Sequence, residues 1–168
     1  MNSNDSNIFR DIRADSAQEF IEKASKNVNV LGLNNESLLQ EAIAIPRYDL
    51  VMPLIELGIN VNIQDNAGKT ALHYAIDSLR GKGERESVED FVLKLLENGA
   101  NPNIADKYGN APIWTASLLP KKSYRIIEAL LTFGADPNMK NSSGKSAIDF
   151  ASQTSNEPLL EALSARNS

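Results

Sequence analysis

The sequence predicts an all-α array of stacked helix–turn–helix units. Two stretches carry that prediction. Residues 65–105 open with Asp65-Asn66-Ala67-Gly68, continue through the short apolar helix Ala71-Leu72-His73-Tyr74-Ala75, and close with Leu95-Leu96-Glu97-Asn98-Gly99-Ala100-Asn101-Pro102-Asn103. Residues 106–140 repeat the plan, from Asp106-Lys107-Tyr108-Gly109 to Leu130-Leu131-Thr132-Phe133-Gly134-Ala135-Asp136-Pro137-Asn138. The exit marks Asn29, Asn62, Asn103 and Asn138 are separated by 33, 41 and 35 residues. The opening marks Asn35, Gly68, Gly109 and Gly144 give 33, 41 and 35 again. Two independent rulers agree, so the extra residues must lie between the helices of a unit, and a repeat of this period fixes the architecture.

Local chemistry points the same way. Gly68, Gly109 and Gly144 sit where a tight turn wants positive φ, a conformation Asn35 also tolerates. Gly58, Gly99 and Gly134 each follow a Leu-rich helix, the place for a left-handed C-terminal cap. Ser37, Thr70 and Ser146 can cap the first helix of their units, and Pro112 suits a first helical turn where its missing donor is no loss. Asp65 and Asp106 precede the turn glycines, as Asx-type turns require.

Taken in order, residues 1–7 read as a disordered polar start. Helices over 8–12 and 18–24 form an N-terminal capping unit, residues 8–31, with Arg10, Arg13, Glu19 and Lys23 on its outer face. The first full unit is 32–64, with helices over 37–45 and 49–57; Pro46 ends the first of them. Pro53 falls inside the second, where a proline costs about 3 kcal/mol, so that helix is either kinked or late in starting. The second unit, 65–105, holds the eight-residue excess as a Gly- and charge-rich loop at 78–87. The third, 106–140, is followed by a C-terminal capping unit, 141–164, with helices over 146–152 and 157–163, and a tail, 165–168.

The hexapeptide Thr70-Ala71-Leu72-His73-Tyr74-Ala75 resembles the Thr-Pro-Leu-His-x-Ala signature of the ankyrin repeat family. Ala111-Pro112-Ile113-Trp114-Thr115-Ala116 keeps the Pro and loses Thr and His. Ser37-Leu38-Leu39-Gln40-Glu41-Ala42 and Ser146-Ala147-Ile148-Asp149-Phe150-Ala151 keep the polar start and the inner Ala. Four such hexapeptides in phase with their exits, over roughly residues 8–163, carry the resemblance. It implies a solenoid with short turn or β-hairpin fingers, and a structural role for His73 in bonding the turns.

Composition limits the function. The 168 residues are 42% apolar and 23% charged, a globular composition for one domain. There is no cysteine, hence no disulfide, thiol chemistry or cysteine metal site. The Met1-Asn2-Ser3-Asn4-Asp5 start shows no secretory signal, and no apolar run is long enough to span a membrane, so a cytoplasmic protein is expected. Net charge is −5, which argues against nucleic acid and favours a basic protein partner. The charge is uneven: residues 1–64 hold 5 basic and 9 acidic, 65–105 hold 5 and 7, and 106–168 hold 7 and 6.

No catalytic or cofactor motif emerges. His73 is the single histidine, there is no Gly-x-Ser-x-Gly elbow, and Gly68-Lys69-Thr70 and Gly144-Lys145-Ser146 lack the upstream glycine of a phosphate loop. Neither a cofactor, nor a metal, nor enzymatic activity is expected. What remains is a surface. The resemblance implies that the finger tips and first helices form a concave face that binds proteins. By register, the tips are Leu33, Asn34, Glu36, then Asn66, Ala67, Lys69, then Lys107, Tyr108, Asn110, then Ser142, Ser143, Lys145. The adjoining helix positions include Asp77, Leu118 and Leu119. The predicted protein-binding residues are Asn66, Lys69, Asp77, Lys107, Tyr108, Asn110, Trp114, Leu118, Leu119 and Lys145, centred on the third unit because exposed aromatics are frequent hot spots. Two readings of Trp114 stay open: a contact residue, or packing between neighbouring first helices. The expected function is that of a monomeric, non-catalytic module that blocks, sequesters or scaffolds a partner. The resemblance also suggests a bacterial effector or a toxin-neutralising immunity protein acting through the same surface.

Overall fold

A computed structural model describes residues 5–80, 85–120 and 124–164. Among these, ten α-helices follow one another and no strand forms; one isolated bridge joins Leu31 and Ser37. The helices are α1 (Asp5–Ala14), α2 (Ala17–Ala24), α3 (Leu38–Ala44), α4 (Val51–Glu56), α5 (Ala71–Ser78), α6 (Arg85–Glu97), α7 (Pro112–Ser117), α8 (Tyr124–Thr132), α9 (Ala147–Gln153) and α10 (Glu157–Ser164), with a 3₁₀ turn at Tyr48–Leu50. They pair as α1/α2, α3/α4, α5/α6, α7/α8 and α9/α10, and each first helix packs on the first helices beside it. The chain is therefore an all-α repeat solenoid, with each layer buried on its neighbours.

Capping sets the starts. Ser16 with Glu19, Ser37 with Gln40, Thr70 with His73 and Ser146 with Asp149 form capping boxes, in which each N-cap and the residue three later satisfy one another. α7 uses the other device, Pro112 at its first position behind Ala111. Ala42, Ala75, Ala116 and Ala151 recur one turn into the first helices, all with 0% exposure, and their small side chains let the layers close. Leu38, Leu39, Leu72 and Ile113 fill the space between, beside Leu54, Leu95, Leu130 and Leu163 of the second helices. Each such buried side chain contributes about 1.5–3 kcal/mol.

Several boundaries differ from the sequence reading. The first helix begins at Asp5, not residue 8, so the polar start is shorter; residues 1–4 lie outside the described residues. The Pro53 ambiguity resolves as a late start: the chain makes a 3₁₀ turn, then α4 begins at Val51, which puts Pro53 in the first turn where its N–H would be unpaired anyway. Helix consumes both ends of the 78–87 stretch, since α5 includes Ser78 and α6 begins at Arg85; residues 81–84 lie outside the described residues.

The N-terminal helices are tied on by ions. Lys23 Nζ bridges Asp11 and Asp15 at 3.0 and 2.6 Å, and Arg13 pairs with Glu41 of α3. Arg47 reaches back over the end of α1, donating from Nη1 to the Ile12 and Asp15 carbonyls at 2.6 and 3.2 Å while Asp49 holds the other side of the guanidinium. No helix among the described residues is long and apolar enough to cross a membrane.

Candidate functional site

The opening turns line up as four fingers, and their backbone explains the recurring residues. Each finger closes with one bond across five residues: Gly32 to Glu36, Asp65 to Lys69, Asp106 to Asn110 and Asn141 to Lys145, N–H to C=O at 2.9–3.0 Å. Inside three fingers the first side chain fills the turn. Asp65 Oδ1 accepts from the Ala67 and Lys69 amides at 2.8 Å, and Asp106 and Asn141 do the same in their fingers. The first finger has Gly32 there, and the Glu36 carboxylate folds back to accept from Asn34 N–H at 2.7 Å.

Neighbouring fingers join by one backbone bond per junction. Asn66 N–H donates to Asn34 C=O, Lys107 N–H to Ala67 C=O, and Ser142 N–H to Tyr108 C=O, at 2.8–2.9 Å. This approach is close enough to demand glycine: a Cβ on Gly68 would lie 2.7 Å from Lys107 N, and one on Gly109 2.8 Å from Ser142 N. A second tie, at the first two junctions, comes from the residue three past the helix cap. Gln40 Nε2 donates to Lys69 C=O at 2.6 Å, and His73 Nε2 lies 3.0 Å from Asn110 C=O. Since Thr70 N–H donates to His73 Nδ1, the ring carries its proton on Nε2 and donates across the junction. Burial lowers the His73 pKa by disfavouring the charged ring. Trp114 holds this position at the third junction and makes no hydrogen bond through its side chain among the described residues; it meets Phe150 of α9 edge-on at 5.7 Å.

A third ladder joins the exits. Asn29, Asn62 and Asn103 each accept through Oδ1 from the Asn60, Asn101 and Asp136 amides at 2.8–2.9 Å. Asn62 and Asn103 also donate through Nδ2 to the Gly99 and Gly134 carbonyls. The Asn at each of the first three exits, visible in the sequence as a mark, is thus a fastener between repeats.

These ladders sort the predicted contact residues. Asn66 and Asn110 are largely committed to the stack: Asn66 Oδ1 accepts from Asn35, and Asn110 Oδ1 accepts from Asn141. Lys69 and Asp77 neutralise one another at 2.6 Å. Tyr108 stands 60% exposed with Lys107 Nζ 5.1 Å from its ring, and Leu118 is 41% exposed. Trp114 is half-buried and does pack against a neighbouring first helix, while Lys145 is half-buried with no ion pair among the described residues. Leu119 needs correction: at 5% exposure it belongs to the core, because the turn after α7 swings it inward next to exposed Leu118. Leu33, at the tip of the first finger, is 83% exposed.

Four in-phase fingers, a signature histidine bonded across its junction and helix pairs stacked in a single array agree with comparison to known families. Residues 95–151 match ankyrin repeats in many copies, and residues 67–107 match the single ankyrin repeat. The chain is an ankyrin repeat protein. It is 28% identical over 146 residues to the neurogenic locus notch homolog protein 1 of Danio rerio, and 25% identical over 146 residues to that of Xenopus laevis. Each match covers 87% of this chain and 6% or 5% of the relative. A putative ankyrin repeat protein of fowlpox virus (strain NVSL), FPV115, is 39% identical over 46 residues, 27% of this chain and 8% of that one. The ankyrin chain thus spans a small fraction of the length of the relatives it matches. Ankyrin repeats are in general protein–protein interaction modules and typically non-catalytic. The three relatives are vertebrate and viral, and lend nothing to the bacterial effector or immunity reading.

Proposed function

We propose that this chain is a non-catalytic module that binds a partner protein across its finger tips and first helices, with the contact centred on the third repeat. The observation that carries this is the contrast along the finger row. Its backbone bonds run from finger to finger, yet Tyr108 and Leu33 project from it 60% and 83% exposed, and Leu118 stands 41% exposed at the end of α7. Exposed Tyr and Trp on a rigid frame give large contact area at low entropic cost. The module works by occupancy, holding or blocking the partner as a monomer in the cytoplasm.

The test is capture of partners by the wild-type chain beside a Lys107→Ala/Tyr108→Ala variant whose helicity is checked by circular dichroism. Loss of a specific partner with helicity intact supports the finger face. A partner retained by the variant moves the contact elsewhere. The first alternative is then the groove of about 450 Å³ between α6 and α8, lined by Glu89, Asp90, Leu93, Arg125, Glu128 and Ala129.

A further inference from the structure

The second repeat and the C-terminal capping unit share a lysine and differ at two positions around it in a way that bears on the chemistry of the partner. In the second, Lys69 Nζ donates to Asp77 Oδ2 at 2.6 Å and lies 6.0 Å from the Tyr74 ring, whose hydroxyl donates to Asp65. That group is self-neutralised. Exactly the same register, 76 residues on, holds Lys145, Phe150 and Gln153. The carboxylate has become a neutral amide and the phenol a plain ring, so Lys145 Nζ has no ion pair among the described residues. In α9, Phe150 meets Trp114, whose indole N–H can only donate and finds no acceptor among those residues. On the third finger, Lys107 Nζ rests over the Tyr108 ring without a carboxylate.

Of the acids nearby, Asp106 keeps its charge but directs it into its own finger, and Asp149 is paired with Lys140. Asp106 Oδ1 accepts the Tyr108 and Asn110 amides, and Asp149 Oδ2 accepts from Ser146 and Lys140. The junction between the third repeat and the C-terminal unit therefore carries two lysines without an ion pair among the described residues, one on each finger, and an aromatic pair with a free indole N–H. We propose that this junction binds an acidic segment of the partner protein, a Glu or Asp on Lys145 with a leucine or aromatic side chain against Trp114 and Phe150, and a second acid on Lys107. The inference rests on the finger face being the contact surface. It reverses what net charge suggests: the chain carries −5, but residues 106–168 hold 7 basic against 6 acidic residues. Charge-assisted bonds from lysine to carboxylate, partly sheltered from solvent, supply both register and selectivity against basic segments.

Trp114 is the one tryptophan of the chain, so its fluorescence reports the junction directly. The full chain is titrated with three peptides of equal length, alternating Glu/Leu, Lys/Leu and Ser/Leu. The Glu/Leu peptide should shift Trp114 emission saturably, and less so at high salt. Lys145→Gln should weaken that binding about tenfold, Lys145→Arg should restore most of it, and Lys26→Gln, at an exposed lysine outside the finger row, should leave it unchanged. An equal or larger response to the Lys/Leu or Ser/Leu peptide, or wild-type binding by Lys145→Gln, overturns the proposal. If none of the peptides moves Trp114, the acidic-segment proposal also falls. The finger-face reading then stands or falls separately, on whether a captured partner is lost with Lys107→Ala/Tyr108→Ala.

Discussion

Replacing Gly68 by alanine tests the finger stack most directly, because Gly144 supplies a matched control. Both have positive φ, +75° and +70°. An L-residue in that region costs about 1–2 kcal/mol. Part of this is offset by about 0.4–1 kcal/mol, since alanine restricts the unfolded chain more than glycine. That leaves roughly 1 kcal/mol for Gly144→Ala, where a Cβ meets nothing within 4 Å. At Gly68 the Cβ would stand 2.7 Å from Lys107 N and 3.0 Å from Asp106 C, both backbone atoms that cannot rotate away. The third finger must then retreat, losing the Lys107-to-Ala67 bond, about 0.5–1.5 kcal/mol, with overpacking strain of about 1–3 kcal/mol. Gly68→Ala should therefore cost about 4 kcal/mol, some 3 kcal/mol more than Gly144→Ala. Urea unfolding followed by far-ultraviolet circular dichroism measures the difference. Equal losses in the two variants would refute the claim that finger contact, rather than backbone conformation alone, fixes glycine at this position.

Further predictions concern the bonds across junctions. His73→Ala, which strips Asn110 C=O and Thr70 N–H of a buried partner, should cost about 2–4 kcal/mol, whereas His73→Gln should recover most of it because Gln40 already does the same job one repeat earlier; thermal melts of the two variants decide it. Because burial holds the folded-state pKa of His73 below its ordinary value near 6.5, the unfolded chain binds the extra proton first. Stability should thus decline as pH falls below about 6.5, a step missing from His73→Gln and measurable by urea midpoints across pH. At lower pH, Asp149, held down to about 2 mainly by its hydrogen bonds to Ser146, contributes stability above its unfolded value of 3.8 that is lost as pH falls toward 2; Asp149→Asn should flatten that limb of the same pH series. Asn103→Ala removes the acceptor of Asp136 N–H and the donor to Gly134 C=O, for a loss of about 1–3 kcal/mol, and amide exchange at Asp136 should quicken with it.

The repeat was legible in the sequence because its signals are local: a glycine at positive φ, a hydroxyl at an N-cap and a Leu-rich helix each leave a mark where they act. Gly68, Thr70 and Leu95 could be read one by one. Contacts between repeats were harder. Gln40 and His73 do the same work with unrelated side chains, so only the shared distance from the cap gives them away. Arg47 stitches the first repeat to the carbonyls at the end of α1, and nothing near it in sequence announces a partner 35 residues upstream. Leu118 and Leu119 differ only in which way the turn after α7 points them, which periodicity cannot decide so close to a helix end. The chemistry of the candidate site lay similarly hidden: Lys69 and Lys145 look alike until Asp77 and Gln153 are set beside them.

The second repeat is eight residues longer than the first, yet Lys107 N–H still finds Ala67 C=O and Asn101 N–H still finds Asn62 Oδ1. Length and register are therefore separate variables in this chain. The ladders on either side clamp the layer spacing, and in sequence the segment between α5 and α6 comes after the finger and before the exit. A segment grafted between Arg80 and Arg85, such as an epitope, a fluorescent domain or a second binding loop, would hang from the array as cargo. The finger row would keep its geometry, leaving its recognition surface and the graft free to diversify independently.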